Sequence, residues 1–197
     1  NFLTKLDHKV EDLGILKDDK SHIIKKLNNA SKNNDFIITS GGMSLGDEDH
    51  IKPLIEEKGE MHVWRLAIKP GRPVGFGKYN KTPILGLPGN PAATFVTFLM
   101  LGIPILKKMS GQKLNKNNYI PIKVNFNHTK KAGRKEFLRV RLSYKDNNLI
   151  LNKFNKEGAG ILSSTSWATG LGIIDEDIEI LKKHDKINYI SLSELLS

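Results

Sequence analysis

The segment Thr39-Ser40-Gly41-Gly42-Met43-Ser44-Leu45-Gly46-Asp47 sets adjacent glycines and two serines between an apolar run and a helical pattern. Glycines without a Cβ let the backbone approach a ligand closely and tolerate positive φ. Backbone N–H groups, the Ser40 and Ser44 hydroxyls and a following helix start could together donate to phosphate oxygens. The segment lacks the Gly-Lys-Ser/Thr end of a Walker loop and the Gly-x-Gly-x-x-Gly spacing of a dinucleotide site. An ordinary strand-to-helix turn is the competing reading, but ligands of open α/β sheets bind at such strand ends. Asp47, Glu48 and Asp49 come next. Acids there can cap a helix and interact favourably with its dipole, or one can hold Mg²⁺, which prefers carboxylate and phosphate oxygens.

A second candidate is Arg65-Leu66-Ala67-Ile68-Lys69-Pro70-Gly71-Arg72-Pro73. If this is strand, Arg65 and Lys69 share a face, and Lys69 and Arg72 flank a Pro-Gly turn. Cations converging at a strand end suit an oxyanion; solvated strand-end charge is the plainer alternative. The third candidate, Gly86-Leu87-Pro88-Gly89-Asn90-Pro91, is a rigid turn before a helix. Asn90 either caps that helix or meets a ligand amide.

These loops need a frame. A strand is expected over 10–15, turning at Gly14, and a helix begins at Asp18-Asp19 with a stripe of Ile23, Ile24, Leu27 and Ala30. Asn33-Asn34 ends it. Residues 35–39 read as a buried parallel strand, 49–58 as a helix, and 61–68, 74–78 and 83–87 as strands. A long apolar helix covers 92–109. Alternating strands and helices imply a three-layer α/β/α domain with a mostly parallel sheet over residues 1–111. Residues 112–119 are a polar linker. Alternation at Ile120, Ile122, Val124 and Phe126, a hairpin turn at Lys145-Asp146-Asn147-Asn148 and further β-type runs predict a small all-β barrel or sandwich over 119–197.

Composition bounds the reading. The 197 residues carry net charge +10 and no cysteine. Disulfides and thiolate chemistry are excluded, and a cytoplasmic setting is compatible. The basic balance favours anionic partners or reflects a solvated surface. The apolar run 92–106 is read as a buried helix, too short for a membrane span of roughly 18 apolar residues. No secretory signal is visible at the start.

Taken in order and spacing, Asp12-Leu13-Gly14-Ile15, the loop 39–49, Leu66 to Pro73 and Gly86 to Pro91 resemble the molybdopterin molybdenumtransferases, the MoeA or gephyrin E-domain family. The resemblance spans 10–111; residues 119–197 are compatible with that family's C-terminal β-domain. It implies molybdenum cofactor biosynthesis: hydrolysis of adenylylated molybdopterin (molybdopterin-AMP) and insertion of molybdate into the dithiolene, assisted by Mg²⁺, in a homodimer. By the family's pattern, Asp49 is the essential acid and Mg²⁺ ligand, with Lys69 also catalytic. Ser40, Gly41, Gly42, Ser44, Gly46, Asp47, Pro88, Gly89 and Asn90 contact the substrate. Arg65, Lys69, Arg72, Pro73 and Arg134, the last before Lys135-Glu136-Phe137, hold molybdate. Arginine stands at 65 and 72 where the family often has lysine, which keeps charge but changes geometry. Ala93 replaces a common serine, so Ser163 or Ser164 is a candidate for the missing hydroxyl. A complete family member carries two further N-terminal domains, so the chain reads as an N-terminally truncated fragment, inactive alone.

Two rivals remain. Lys130, Lys131, Arg134, Lys135, Arg139 and Arg141, interrupted by Glu136 alone, with Phe137 and Tyr144 nearby, could bind nucleic acid, though this leaves the loops unexplained. A scaffold that keeps the pterin site without transfer is the other.

Overall fold

The computed structural model describes residues 2–43, 50–114, 118–145, 147–154 and 162–196. These form two compact units. One comprises Asn1–Trp64 and Val74–Gly86, the other Arg65–Pro73 and Leu87–Ser197.

The first unit begins with a short helix, α1 (Phe2–Lys5), and an extended segment. No strand forms at 10–15, because no described strand pairs with it; Ile15 is exposed there and Gly14 turns with φ 68°. Helix α2 (Lys20–Asn33) starts where Asp19 accepts the His22 N–H at 2.7 Å and stops at Asn34. The Ser21 hydroxyl, then the His22 N–H, hold the Asp19 carboxyl below its usual range. The expected stripe faces inward: Ile23, Leu27 and Ala30 are buried, with Ile24 packed beside them. Strand β1 (Ile37–Ser40) leads into the glycine loop, and α3 (Ile51–Lys58) runs directly into β2 (Gly59–Trp64).

In the second unit, β3 (Ile68–Lys69) is a short parallel addition. The chain returns to the first unit for β4 (Gly75–Tyr79) and most of β5 (Thr82–Leu87). The first unit's sheet has the order β1-β5-β4-β2. It is mixed rather than mostly parallel, since β4 pairs antiparallel with both β2 and β5. The cause is local: a turn of Asn80 (φ 54°) and Lys81 joins β4 to β5, too short for a parallel crossover. That turn clasps α2, with Tyr79 Oη donating to Asn28 at 3.0 Å and Thr82 Oγ1 donating to the Ser31 carbonyl at 2.7 Å.

The long apolar helix consists of α4 (Pro91–Thr97), a wide π turn (Phe98–Gly102) and α5 (Ile103–Met109). Pro104 has no N–H for the regular helical bond, and the Ile103 N–H reaches back to Phe98 O through the wider turn. The 19 residues from Pro91 to Met109 are long and apolar enough to cross a membrane, which corrects the expectation that the run is too short. Half of its most apolar window is buried within the protein, as in a core helix.

After residue 119 the chain is β-rich: β6 (Ile120–Val124), β7 (His128–Thr129), β8 (Lys135–Lys145), β9 (Asn148–Lys153), α6 (Ser163–Trp167), β10 (Gly170–Ile174), β11 (Ile180–Leu181), β12 (Lys186–Ser191) and α7 (Leu192–Leu196). Strands β10, β12, β6, β9 and β8 pair in that order, and β8 pairs back to β10. The sheet thus closes into a five-stranded barrel, leaving no free edge in the ring. Alternate residues fill it: Ile122, Val124, Val140, Leu151, Ile174, Ile187 and Tyr189 form its core.

Candidate functional site

The first unit carries the glycine loop. Gly41 (φ 90°) and Gly42 (φ 71°) both occupy the left-handed region, where side chains are strained. Met43 anchors the loop. Its side chain is buried in a recess above Gly75 and Gly86, register partners on β4 and β5, and a Cβ on either would overlap it. Trp64 Nε1 donates to the Met43 carbonyl at 3.1 Å, and Lys52 Nζ lies 4.5 Å from the centre of the Trp64 ring. The loop is therefore held through both a side chain and the backbone. Ser40 is exposed, and Thr39 Oγ1 is buried with no hydrogen-bond partner among the described residues. The predicted Ser44, Gly46, Asp47 and Asp49 lie outside the described residues, as does Glu48.

The second unit holds the cations. Arg65 takes φ 63° and ends β2, so it does not share a strand face with Lys69 as expected; a left-handed residue interrupts the alternation. The Leu66 N–H closes the following loop onto Arg72 O at 3.2 Å. Lys69-Pro70 is a cis peptide, and Gly71 (φ 104°) sits where a Cβ would overlap Thr97 Cγ2. Arg72 is exposed and Pro73 partly buried. On the barrel side, Lys135 and Glu136 of β8 pair in parallel with Ile68 and Lys69 of β3.

That pairing builds a cleft of about 450 Å³ lined by Lys69, Thr129, Lys130, Lys131, Arg134 and Glu136. Lys69 and Arg134 thus share one wall set, while Arg65 and Arg72 do not line it. Glu136 is the lone acid among the described residues of the cleft and is already matched: Lys69 Nζ lies 3.0 Å from Oε1 and His128 Nε2 lies 3.1 Å from Oε2. Burial raises the Glu136 carboxyl, but bonds to His128 and Lys69 outweigh it and bring the group below its usual range. Lys130 Nζ is turned onto the carbonyls of Arg134 and Glu176.

The remaining basic residues have other tasks. Lys135 pairs with Asp175 at 3.2 Å, and Arg139 Nε donates to Ser164 Oγ at 2.6 Å. Arg141 Nε donates to the Trp167 carbonyl, its guanidinium near that ring. Phe137 is buried and not presented for base stacking. Ser164, a candidate for the missing hydroxyl, is buried and engaged by Arg139; Ser163 is exposed.

Pro88-Gly89-Asn90-Pro91 opens α4. Asn90 Oδ1 accepts the Ala93 N–H at 3.1 Å, the capping alternative, and Thr94 Oγ1 donates to the Pro88 carbonyl. Ala93 is buried. Among the described residues no group of three His, Asp or Glu could hold a metal ion.

Family comparison bears on both units. The "probable molybdopterin binding domain" family matches residues 1–108, and "MoeA C-terminal region (domain IV)" matches 121–192. This chain belongs to the MoeA/gephyrin family. A molybdopterin molybdenumtransferase of Haemophilus influenzae is 40% identical over 139 residues, 70% of this chain and 34% of that protein. Gephyrin of Dictyostelium discoideum is 36% identical over 121 residues, 53% of this chain and 17% of that one. A molybdopterin biosynthesis MoeA protein from Pyrococcus horikoshii superposes with TM-score 0.78 at 25% identity, covering 96% of this chain and 45% of that one. The chain therefore spans about a third of the Haemophilus relative's length. Family membership carries the α/β domain followed by the β-barrel. The residues that sequence reasoning passed over are His128, Thr129 and Lys153, together with any role for Glu136. A lone acid inside a basic run was the available signal for Glu136; His128 and Lys153 had none, being distant in sequence.

Proposed function

We propose that this chain provides the molybdopterin- and oxyanion-binding part of a molybdenum cofactor biosynthesis enzyme that inserts molybdate into adenylylated molybdopterin and releases AMP. The observation that carries this is the cationic cleft, where Lys69 and Arg134 line one cavity and the acid beside them, Glu136, is already paired. A lysine ammonium and a forked guanidinium suit a tetrahedral oxyanion. Offsetting molybdate's negative charge lets dithiolene sulfurs approach an otherwise repelling partner. The glycine loop, with Ser40 exposed, offers N–H and hydroxyl donors to the substrate phosphate. Water then cleaves the phosphoanhydride bond of the adenylate, giving AMP and molybdopterin phosphate, and one molybdate oxygen leaves as water with the two dithiol protons as the sulfurs bind molybdenum.

Asp49 as essential acid, Mg²⁺ at that carboxylate and a homodimer belong to the same reading and rest on the family pattern. The test is molybdate-dependent AMP release from adenylylated molybdopterin, with Lys69→Ala, Arg134→Ala and Asp49→Asn as variants. Loss of release in each supports the reading. Equal release by all of them overturns it, and tight substrate binding without any AMP release would favour a pterin-binding scaffold instead.

A further inference from the structure

Behind Lys69 a row of polar groups runs back from the cleft. Lys69 Nζ bonds Glu136 Oε1 at 3.0 Å, Glu136 Oε2 faces His128 Nε2 at 3.1 Å, and His128 Nδ1 faces Lys153 Nζ at 3.3 Å. The inner pair is nearly closed to solvent, with side-chain exposures of 9% for His128 and 5% for Glu136, whereas Lys69 is 50% exposed. Each member comes from a different strand: β3, β8, β7 and β9.

We propose that His128, with its tautomer set by Lys153, is a positioning residue that orients Glu136 and, through it, the Lys69 ammonium in the oxyanion cleft. The inference rests on the oxyanion-binding reading of that cleft. A lysine ammonium has donors only, so Nδ1 of His128 accepts from Lys153 and the ring proton resides on Nε2. That Nε2–H donates to Oε2 of Glu136, which leaves Oε1 directed at Lys69. Fixing one carboxylate oxygen removes the freedom of the group to rotate between partners. Lys69 has four rotatable bonds and would otherwise sample many rotamers; one anchored acceptor narrows them before an anion arrives. The arrangement parallels outer-shell partners that set a histidine's tautomer and aim it at a metal, with a cation as the group being aimed.

The test uses the 197-residue chain and its His128→Gln, His128→Leu and Lys153→Met variants. Nitrogen NMR reads the His128 tautomer, the ε-methylene proton signals of Lys69 read its confinement, and calorimetry with molybdate reads affinity. We expect the Nε2–H tautomer in the unaltered chain and its loss as a single form in Lys153→Met. His128→Leu should merge the split Lys69 signals and weaken molybdate by about tenfold, the scale of a lost outer-shell partner. His128→Gln, whose amide N–H can stand where Nε2–H stood, should keep the splitting and stay within about threefold of the unaltered affinity. An Nδ1–H tautomer in the unaltered chain, or Lys69 signals indifferent to His128→Leu, overturns the inference. If His128→Leu does not fold, Lys153→Met and His128→Gln decide by the same signals. Failure of the unaltered chain to bind molybdate overturns the oxyanion reading instead, while the tautomer and Lys69 signals still judge the positioning role.

Discussion

Lys69 and Glu136 stand opposite each other in the parallel pairing of β3 with β8, and their side chains close an ion pair at 3.0 Å. Backbone register and side-chain charge thus specify the same neighbour. The short strand that delivers Lys69 to the cleft is held to the barrel by both, and also by the Lys135 N–H bond to the Ala67 carbonyl at 2.9 Å.

This pair gives stability an acid limb. Despite burial, the His128 and Lys69 bonds keep the Glu136 carboxyl below its ordinary value of 4.5. The folded state therefore binds fewer protons than the unfolded one in that range, so the stabilisation is complete above the ordinary value. It fades as pH falls through the lower folded value. Urea midpoints measured from neutral to acid pH should fall less steeply for Glu136→Gln than for the unaltered chain. An unchanged slope would show that Glu136 titrates alike in both states.

Met43 and Gly86 should be energetically coupled. A Cβ on Gly86 overlaps Met43 Cγ and Sδ, so Gly86→Ala forces the loop anchor to move, at a cost of about 1–3 kcal/mol. Met43→Ala alone leaves a cavity and costs about 2–5 kcal/mol. In the double variant the new methyl enters vacated space, so its destabilisation should be smaller than the sum by about 1 kcal/mol or more. Chemical denaturation of the four proteins measures this; strict additivity would place the Met43 side chain elsewhere.

Gly71→Ala should act on ligand binding rather than on the barrel. The residue has φ 104° and its Cβ would overlap Thr97 Cγ2, so the loop between Lys69 and Arg72 must shift. Molybdate affinity should drop by about tenfold, the consequence of displacing a charge contact by roughly an ångström. Far-ultraviolet circular dichroism should stay unchanged. Unaltered affinity would show that this loop does not help to set the Lys69 position.

Asn90 separates capping from ligand contact. Asn90→Ala removes the acceptor for the Ala93 N–H and should cost about 1 kcal/mol of stability. Asn90→Ser keeps a capping oxygen and should restore most of it. If adenylylated molybdopterin binding recovers along with stability in Asn90→Ser, the side chain acts through the helix start. If stability alone recovers, the amide itself meets the ligand.

Much of the frame was legible from residue order. Asp19 and Asn34 bound α2 because capping chemistry is local, and the Ile23, Leu27 and Ala30 stripe arose from helical period. The β-domain was legible from alternation, since its residues face a core on one side only. Reading failed where an outcome depended on a partner distant in the chain. The pattern at 10–15 predicts a strand, but the segment finds no neighbouring strand among the described residues. Residue type places Arg65 inside a strand, yet it ends one, because its left-handed backbone is not visible in residue type.

The sequence alone determined the family, the glycine loop and the presence of lysine and arginine at 69, 72 and 134, because those depend on residue identity and spacing. Tertiary structure decided which of these cations share a cleft. Strand β3 joins β8, bringing Lys69 to Arg134 and Glu136 and leaving Arg72 outside the lining. It also placed His128 and Lys153 behind Glu136. The physical reason is that ion pairs and hydrogen bonds act over a few ångströms, while the residues that form them lie many positions apart, and only strand pairing converts one separation into the other.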